Sequence, residues 1–127
     1  MGFDWGEFID LAEYLGQFNP RGTPGFTKQA MHRAGVSRAY FGAFGLLRRW
    51  AETQGFQAQR DANDHLELVR FLQAHGFNAV AGRLIDLRRS RNRCDYDDTV
   101  PGLDYLSSAA VQEARWLSAF ARTNGSS

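Results

Sequence analysis

Residues 39 to 50 read Ala39-Tyr40-Phe41-Gly42-Ala43-Phe44-Gly45-Leu46-Leu47-Arg48-Arg49-Trp50, and this stretch decides the fold. Drawn as a helix, it carries apolar side chains around most of its circumference, so the helix must lie centrally with neighbours on several sides. Working outward, Ala30 and Ala34 extend the pattern back to about Thr27, a candidate N-cap, and the helix runs forward to Thr53. Gly42 and Gly45 each lower helicity by about 1 kcal/mol relative to Ala, which makes sense if another backbone approaches closely there. Gly35 is a candidate kink.

The flanking segments supply partners for this helix. Trp5, Phe8, Ile9, Ala12 and Leu15 recur at helical spacing from Asp4, a second candidate N-cap, to Gln17. Asn19, Pro20, Gly22, Pro24 and Gly25 form a cluster of breakers, read as a loop. After a polar connection from Gly55 to Arg60, a third helix begins at Asp61, passes through Leu68, Phe71 and Leu72, and ends at Gly76, with Phe77 placed for an apolar C-terminal contact. A fourth begins near Asn78 with Val80, Leu84 and Leu87 on one line. Pro101 precedes a fifth through Leu103, Leu106, Ala110, Ala114, Leu117 and Phe120. No segment alternates with period two between turn signals, so the expected architecture is an all-α, up-and-down bundle of about five helices. It forms a single domain over residues 1–122, with 123–127 as a disordered tail.

Composition narrows the function. The 127 residues are 43% hydrophobic and 23% charged, as in ordinary globular domains. No apolar run approaches the roughly 20 residues needed to span a bilayer. The acidic start, with Asp4, Glu7 and Asp10, lacks the basic region of a signal peptide, so a cytoplasmic location is expected. Gly6 stands where a myristoylation motif beginning at Gly2 wants Ser or Thr. A formal net charge of +1 argues against bulk coating of nucleic acid. The positive charge is nonetheless clustered: Arg83, Arg88, Arg89, Arg91 and Arg93 fall late in the chain, and Lys28 is the single lysine. Arginine offers a planar fork suited to phosphate and carboxylate, although a GC-rich genome favouring Arg codons gives the same bias. No cofactor or metal is expected. Cys94, the single cysteine, reads as a core residue. His32 and His65 lack a second ligand at i+3 or i+4, and Asp97 and Asp98 read as solvated turn carboxylates rather than as a metal cluster with Asp95.

The chemistry concentrates in Leu84-Ile85-Asp86-Leu87-Arg88-Arg89-Ser90-Arg91-Asn92-Arg93-Cys94-Asp95-Tyr96-Asp97-Asp98. Extending the line of Val80, Leu84 and Leu87 lands on Arg91 and then on Cys94 and Asp95, which puts an arginine on the buried stripe. Such a charge needs a partner, and Asp95 stands four residues on. Two readings follow. Arg91 and Asp95 form a pair that fixes the helix end, or Arg91 lines a cleft in which a phosphate competes with the carboxylate.

Ser37-Arg38-Ala39-Tyr40-Phe41-Gly42-Ala43-Phe44 resembles the long-helix signature of HEPN domains, S-R-x-Y-Y-A-x-F. Arg88-Arg89-Ser90-Arg91-Asn92-Arg93-Cys94-Asp95-Tyr96 is similar to the late-helix signature of a HEPN branch ending in Ala-Asp-Tyr, here Cys-Asp-Tyr. The resemblance spans about Met31 to Tyr96, and in it Ser37, Tyr40 and Phe44 are structural positions. It implies a helical bundle that dimerises and brings two late-helix motifs to one Arg-lined cleft. It also implies an RNA-associated role in a bacterial toxin-antitoxin or defence system, CRISPR-linked systems included. Many members are metal-independent ribonucleases in which Arg stabilises charge, a polar residue follows it, and a His four to six positions beyond the Arg handles a proton.

By that resemblance the candidate catalytic set is Arg91, Asn92, Asp95 and Tyr96, flanked by Arg88, Arg89 and Arg93 as nucleic-acid-binding residues. Arg91 and Asn92 match, whereas Asp95 and Tyr96 stand where the His belongs. Tyr titrates near pH 10 and Asp near pH 4, so neither is a ready proton shuttle, and weakened or absent ribonuclease activity is expected. Rescue would require His32, His65 or His75 to be folded into the cleft. Some relatives also carry a tyrosine modified by a partner nucleotidyltransferase; Tyr96 is at a different offset, and its expected role is to pack at the bundle end with its hydroxyl bonded. The alternative to an RNA-associated protein is a non-catalytic interaction module in which the same motif is structural. A mononucleotide ligand is a third reading, suggested by the family and the arginine-rich composition.

Overall fold

Leu47 and Trp50 are buried in the last two turns of the longest helix of the computed structural model, which describes residues 2–17 and 27–125. Five helices follow in chain order: α1 (Gly6–Gln17), α2 (Lys28–Thr53), α3 (Asp64–Ala74), α4 (Asn78–Tyr96) and α5 (Leu103–Gly125). Among the described residues there is no strand, and the chain forms an all-helical, up-and-down bundle. The expected breaker loop at 19–25 lies outside the described residues. α2 packs chiefly against α1 and α5, then against α4, with a lighter contact to α3. One buried cluster draws on all five helices, including Ile9, Leu47, Leu68, Leu84 and Leu117. No described helix is long and apolar enough to cross a membrane.

The two glycines of the opening stretch mark where α1 crosses α2. A Cβ at Gly42 would sit 2.8 Å from both the Ile9 side chain and the Trp5 carbonyl oxygen, and one at Gly45 would run into the Trp5 indole. The weak helix formers are therefore what allow the two backbones to approach, as the sequence requires. Gly35 serves the same seam rather than breaking α2, since its Cβ would lie 3.2 Å from the Ala12 carbonyl oxygen and α2 continues through it.

Helix ends follow local chemistry. The Thr27 hydroxyl accepts from the Ala30 amide, and the Asp4 carboxylate accepts from the Gly6 amide at 2.9 Å. α3 stops in a complete Schellman motif: Gly76 takes φ +84°, the Phe77 amide bonds to the Leu72 carbonyl at 2.8 Å, and the Gly76 amide bonds to that of Gln73. Two boundaries differ from expectation. α3 begins at Asp64 rather than Asp61, because Asp61 is spent on a turn in which its carboxylate accepts from the Asn63 amide. The segment expected as a tail from residue 123 stays helical to Gly125, with the Asn124 side chain bonded to the Phe120 carbonyl.

Candidate functional site

α4 carries the arginine-rich motif, and its core line is Val80, Leu84 and Leu87, all buried. Continuing that line, Arg91 keeps only 20% of its side chain exposed, and Cys94 is buried as a free thiol. Burial pushes the Cys94 thiol above its ordinary pKa, which suits an inert core residue. The Arg91 guanidinium lies over two rings of α2, 5.1 Å from the centre of Phe41 and 5.8 Å from that of Tyr40. Its Nε is 2.9 Å from Asp95 Oδ2 and its Nη1 donates to Asn92 Oδ1 at 3.1 Å. The Nε contact is close as an ion pair but is not aligned as a hydrogen bond, so this buried N–H has no hydrogen-bond partner. Arg91, Asn92 and Asp95 thus form one connected group.

Tyr96 does not join them. It is 74% exposed, because α4 ends there and Asp97 leaves in extended conformation; the expected packing at the bundle end is not what the fold provides. The helix end is fixed instead by Arg33 of α2, whose guanidinium donates to the carbonyls of Cys94 at 2.9 Å, Asp97 at 2.6 Å and Asp98 at 3.1 Å. A cation on the last carbonyls of a helix meets both their unfilled hydrogen bonds and the negative end of the helix dipole. Arg33 escaped sequence analysis because it stands more than sixty positions away, on a helix whose register against α4 only the packing defines.

The three flanking arginines divide. Arg88, one turn before Arg91, is half-buried on the same face and has no ion pair or hydrogen bond among the described residues. Arg89 and Arg93 point outward, and Arg89 pairs with Asp86 at 3.5 Å.

Beneath Arg88 and Arg91 lies a buried polar pair that links α2 to α3. The Tyr40 hydroxyl is 2.8 Å from His65 Nδ1, and Phe44 stacks on both rings. Burial, followed by the fields of Arg88 and Arg91, brings the His65 pKa down to about 4. Burial raises Tyr40 to about 12 against the opposing pull of the same arginines. Both groups are therefore neutral at pH 7 and hydrogen-bonded to each other. His65 does come to the inner side of the motif, but an imidazole that is 8% exposed and holds a proton only below about pH 4 is a weak base. The His75 ring lies tilted against that of Phe71, and its Nδ1 is 2.9 Å from that residue's carbonyl oxygen. His32 faces a cavity of about 400 Å³ bounded by α1, α2 and α5, where burial lowers its pKa. Ser37 is buried on α2.

The arrangement can do one thing well, which is to hold an anion. Two guanidiniums one helical turn apart, one oriented by aromatic rings and the other without an anion, can share the oxygens of a phosphate. The cavities of about 190 to 400 Å³ found among the described residues are lined by other residues, and none of these encloses Arg88 or Arg91 on the single chain. No known family, no curated protein and no solved structure matches the chain.

Proposed function

We propose that this chain is a HEPN-type, RNA-associated protein that grips an RNA phosphate with Arg88 and Arg91, on a face completed by a second copy of itself. The observation that carries the reading is the state of these two arginines. Arg91 is held on the rings of Tyr40 and Phe41 with a single carboxylate, Asp95, while Arg88 beside it has none. An RNA phosphate would meet Arg88 directly and compete with Asp95 for Arg91, and the Asn92 amide could bond to a neighbouring oxygen. A second copy supplies what an open surface lacks, a facing wall that excludes water and strengthens the charge interaction. Service in a bacterial toxin-antitoxin or defence system, with a nucleotidyltransferase as a candidate partner, follows from the resemblance in the two motifs.

Binding without cleavage is the expected chemistry. A 2′-hydroxyl attack needs a group that exchanges a proton near neutrality. Asp95 is engaged with Arg91, Tyr96 is splayed into solvent, and His65 is buried behind Tyr40.

The test is binding of a short single-stranded RNA across a salt series by the parent, Arg88→Gln and Arg91→Gln, together with sedimentation of the parent. Each variant should lower the magnitude of the salt slope by about one and weaken binding about tenfold, the RNA should stay intact, and the protein should sediment as a dimer. Unchanged affinity in both variants removes the phosphate grip, and a monomer removes the shared face. A second reading, a non-catalytic interaction module in which the motif is structural, is favoured by the 2.9 Å Arg91–Asp95 approach. It predicts no RNA binding at all.

A further inference from the structure

A second concentration of arginine lies away from α4, where the N-terminal segment crosses the C-terminal half of α2. Phe3, Trp5, Arg48, Arg49, Glu52 and Arg60 line a cavity of about 310 Å³, at the lower end of the range for small-molecule sites.

The charge there does not balance. Glu52 is the one carboxylate in the wall and it is shared, lying 3.5 Å from Arg48 Nε and 3.4 Å from Arg60 Nη2. Arg49 has no carboxylate; its Nη1 donates to the Phe3 carbonyl at 2.9 Å, which ties the N-terminal segment over the cavity. Asp64 is near enough for Arg48 to feel its field, but its oxygens already accept from the backbone amides of Gln59 at 2.8 Å and Arg60 at 3.0 Å. Burial, followed by repulsion from Arg60 and Arg49, lowers the Arg48 pKa against the opposing pull of Glu52 and Asp64. A fold seldom brings like charges together in a half-enclosed space unless an anion completes them.

Two further features fit a built site. Arg48 is only 9% exposed, and its Nε is buried with no hydrogen-bond partner. Arg60 is the one described non-glycine residue at positive φ, +62°. That left-handed conformation is sparsely used by residues with a side chain, and here the Asp64 carboxylate clamps it in a loop that turns the guanidinium toward Glu52. The rest of the wall is aromatic. The Arg48 guanidinium lies 5.2 Å from the centre of the Trp5 ring, and Phe3 packs edge-on against Trp5 at 5.4 Å.

We infer that this cavity binds a small phosphate ester with an aromatic body, its phosphate held by Arg48, Arg49 and Arg60 and its ring against Trp5 and Phe3. The phosphate displaces Glu52 from at least one arginine and gives the Arg48 Nε an acceptor. The site is separate from the Arg88–Arg91 face, and neither depends on the other.

Isothermal titration of the full chain with phenyl phosphate, inorganic phosphate and phenol, with Trp fluorescence followed in parallel, tests it. Phenyl phosphate should bind saturably and perturb the fluorescence. Arg49→Gln and Arg60→Gln, at positions exposed enough to spare the fold, should each weaken it about tenfold. Arg70→Gln removes an exposed charge from α3 and should change nothing. Inorganic phosphate should bind more weakly and phenol not measurably. Absence of saturable phenyl phosphate binding overturns the proposal, as does equal weakening by Arg70→Gln, which would mean diffuse attraction. If inorganic phosphate binds as tightly as phenyl phosphate, the aromatic half is overturned. Arg88→Gln should leave this titration intact even if it abolishes RNA binding, so the two sites fail separately.

Discussion

Arg48 on α2 and Arg91 on α4 are built alike: each is mostly buried, each lies over aromatic rings, and each has a carboxylate four residues on. They differ in what surrounds that carboxylate. Asp95 approaches Arg91 to 2.9 Å and serves it alone, whereas Glu52 stands 3.5 Å from Arg48 and also meets Arg60. An i,i+4 carboxylate settles a half-buried arginine only when no third charge shares it. On α4 the unmatched cation is the neighbour, Arg88; at the α1–α2 seam the whole wall is in excess. The floors differ as well, since the α4 face rests on the neutral Tyr40–His65 pair and the seam rests on a close backbone crossing.

Acid should separate the two regions most strongly. His65 takes up a proton at about pH 4 when folded and near 6.5 when unfolded. The unfolded chain therefore binds the proton first as pH falls. The contribution is fully present above pH 6.5, declines between 6.5 and about 4, and is lost below, an effect on the order of 3 kcal/mol. Urea unfolding of the parent and of His65→Leu through this window checks it: the variant's stability should fall less steeply, and identical slopes would free His65 from the account. The seam has no histidine in its wall.

A smaller effect is expected from Gly45→Ala. Ala gains about 1 kcal/mol of helix propensity, but its methyl collides with the Trp5 indole, and overpacking costs about 1–3 kcal/mol. A net loss of about 1 kcal/mol with an altered Trp fluorescence spectrum is the expected outcome. A gain in stability would mean that α1 yields readily and the seam is loose.

The smallest change in stability is expected for Asp95→Ala. With 20% and 27% of the two side chains exposed, the pair should contribute no more than about 1 kcal/mol, while releasing Arg91 should tighten RNA binding. A loss of 3 kcal/mol or more with no change in RNA affinity would make the pair structural and end the comparison with Arg48.

The candidate site was only partly legible in sequence. Arg91 and Asp95 come together because i and i+4 are neighbours on any helix, whereas the contact with Asn92, at the adjacent position, depends on the reach of the Arg91 side chain. Tyr96 was misplaced because its packing depends on how the chain leaves α4, which no local pattern encodes. Sequence analysis marked Tyr40 as structural and His65 as isolated, yet their bond spans 25 positions and two helices. Arg48, Arg49 and Arg60 drew no notice, since two belong to the strong pattern of α2 and the third to a polar connection.

What the sequence determined by itself is whatever a single helix or turn can express: five amphipathic segments, the caps at Thr27 and Gly76, the glycines that admit a second backbone, and an arginine on the inner line of α4. Only the tertiary structure decided which side chains meet across helices. Arg33 on the end of α4, His65 beneath Arg91 and three arginines around Glu52 depend on crossing angles and register set by the packing of the whole core, and a one-dimensional pattern carries no record of those.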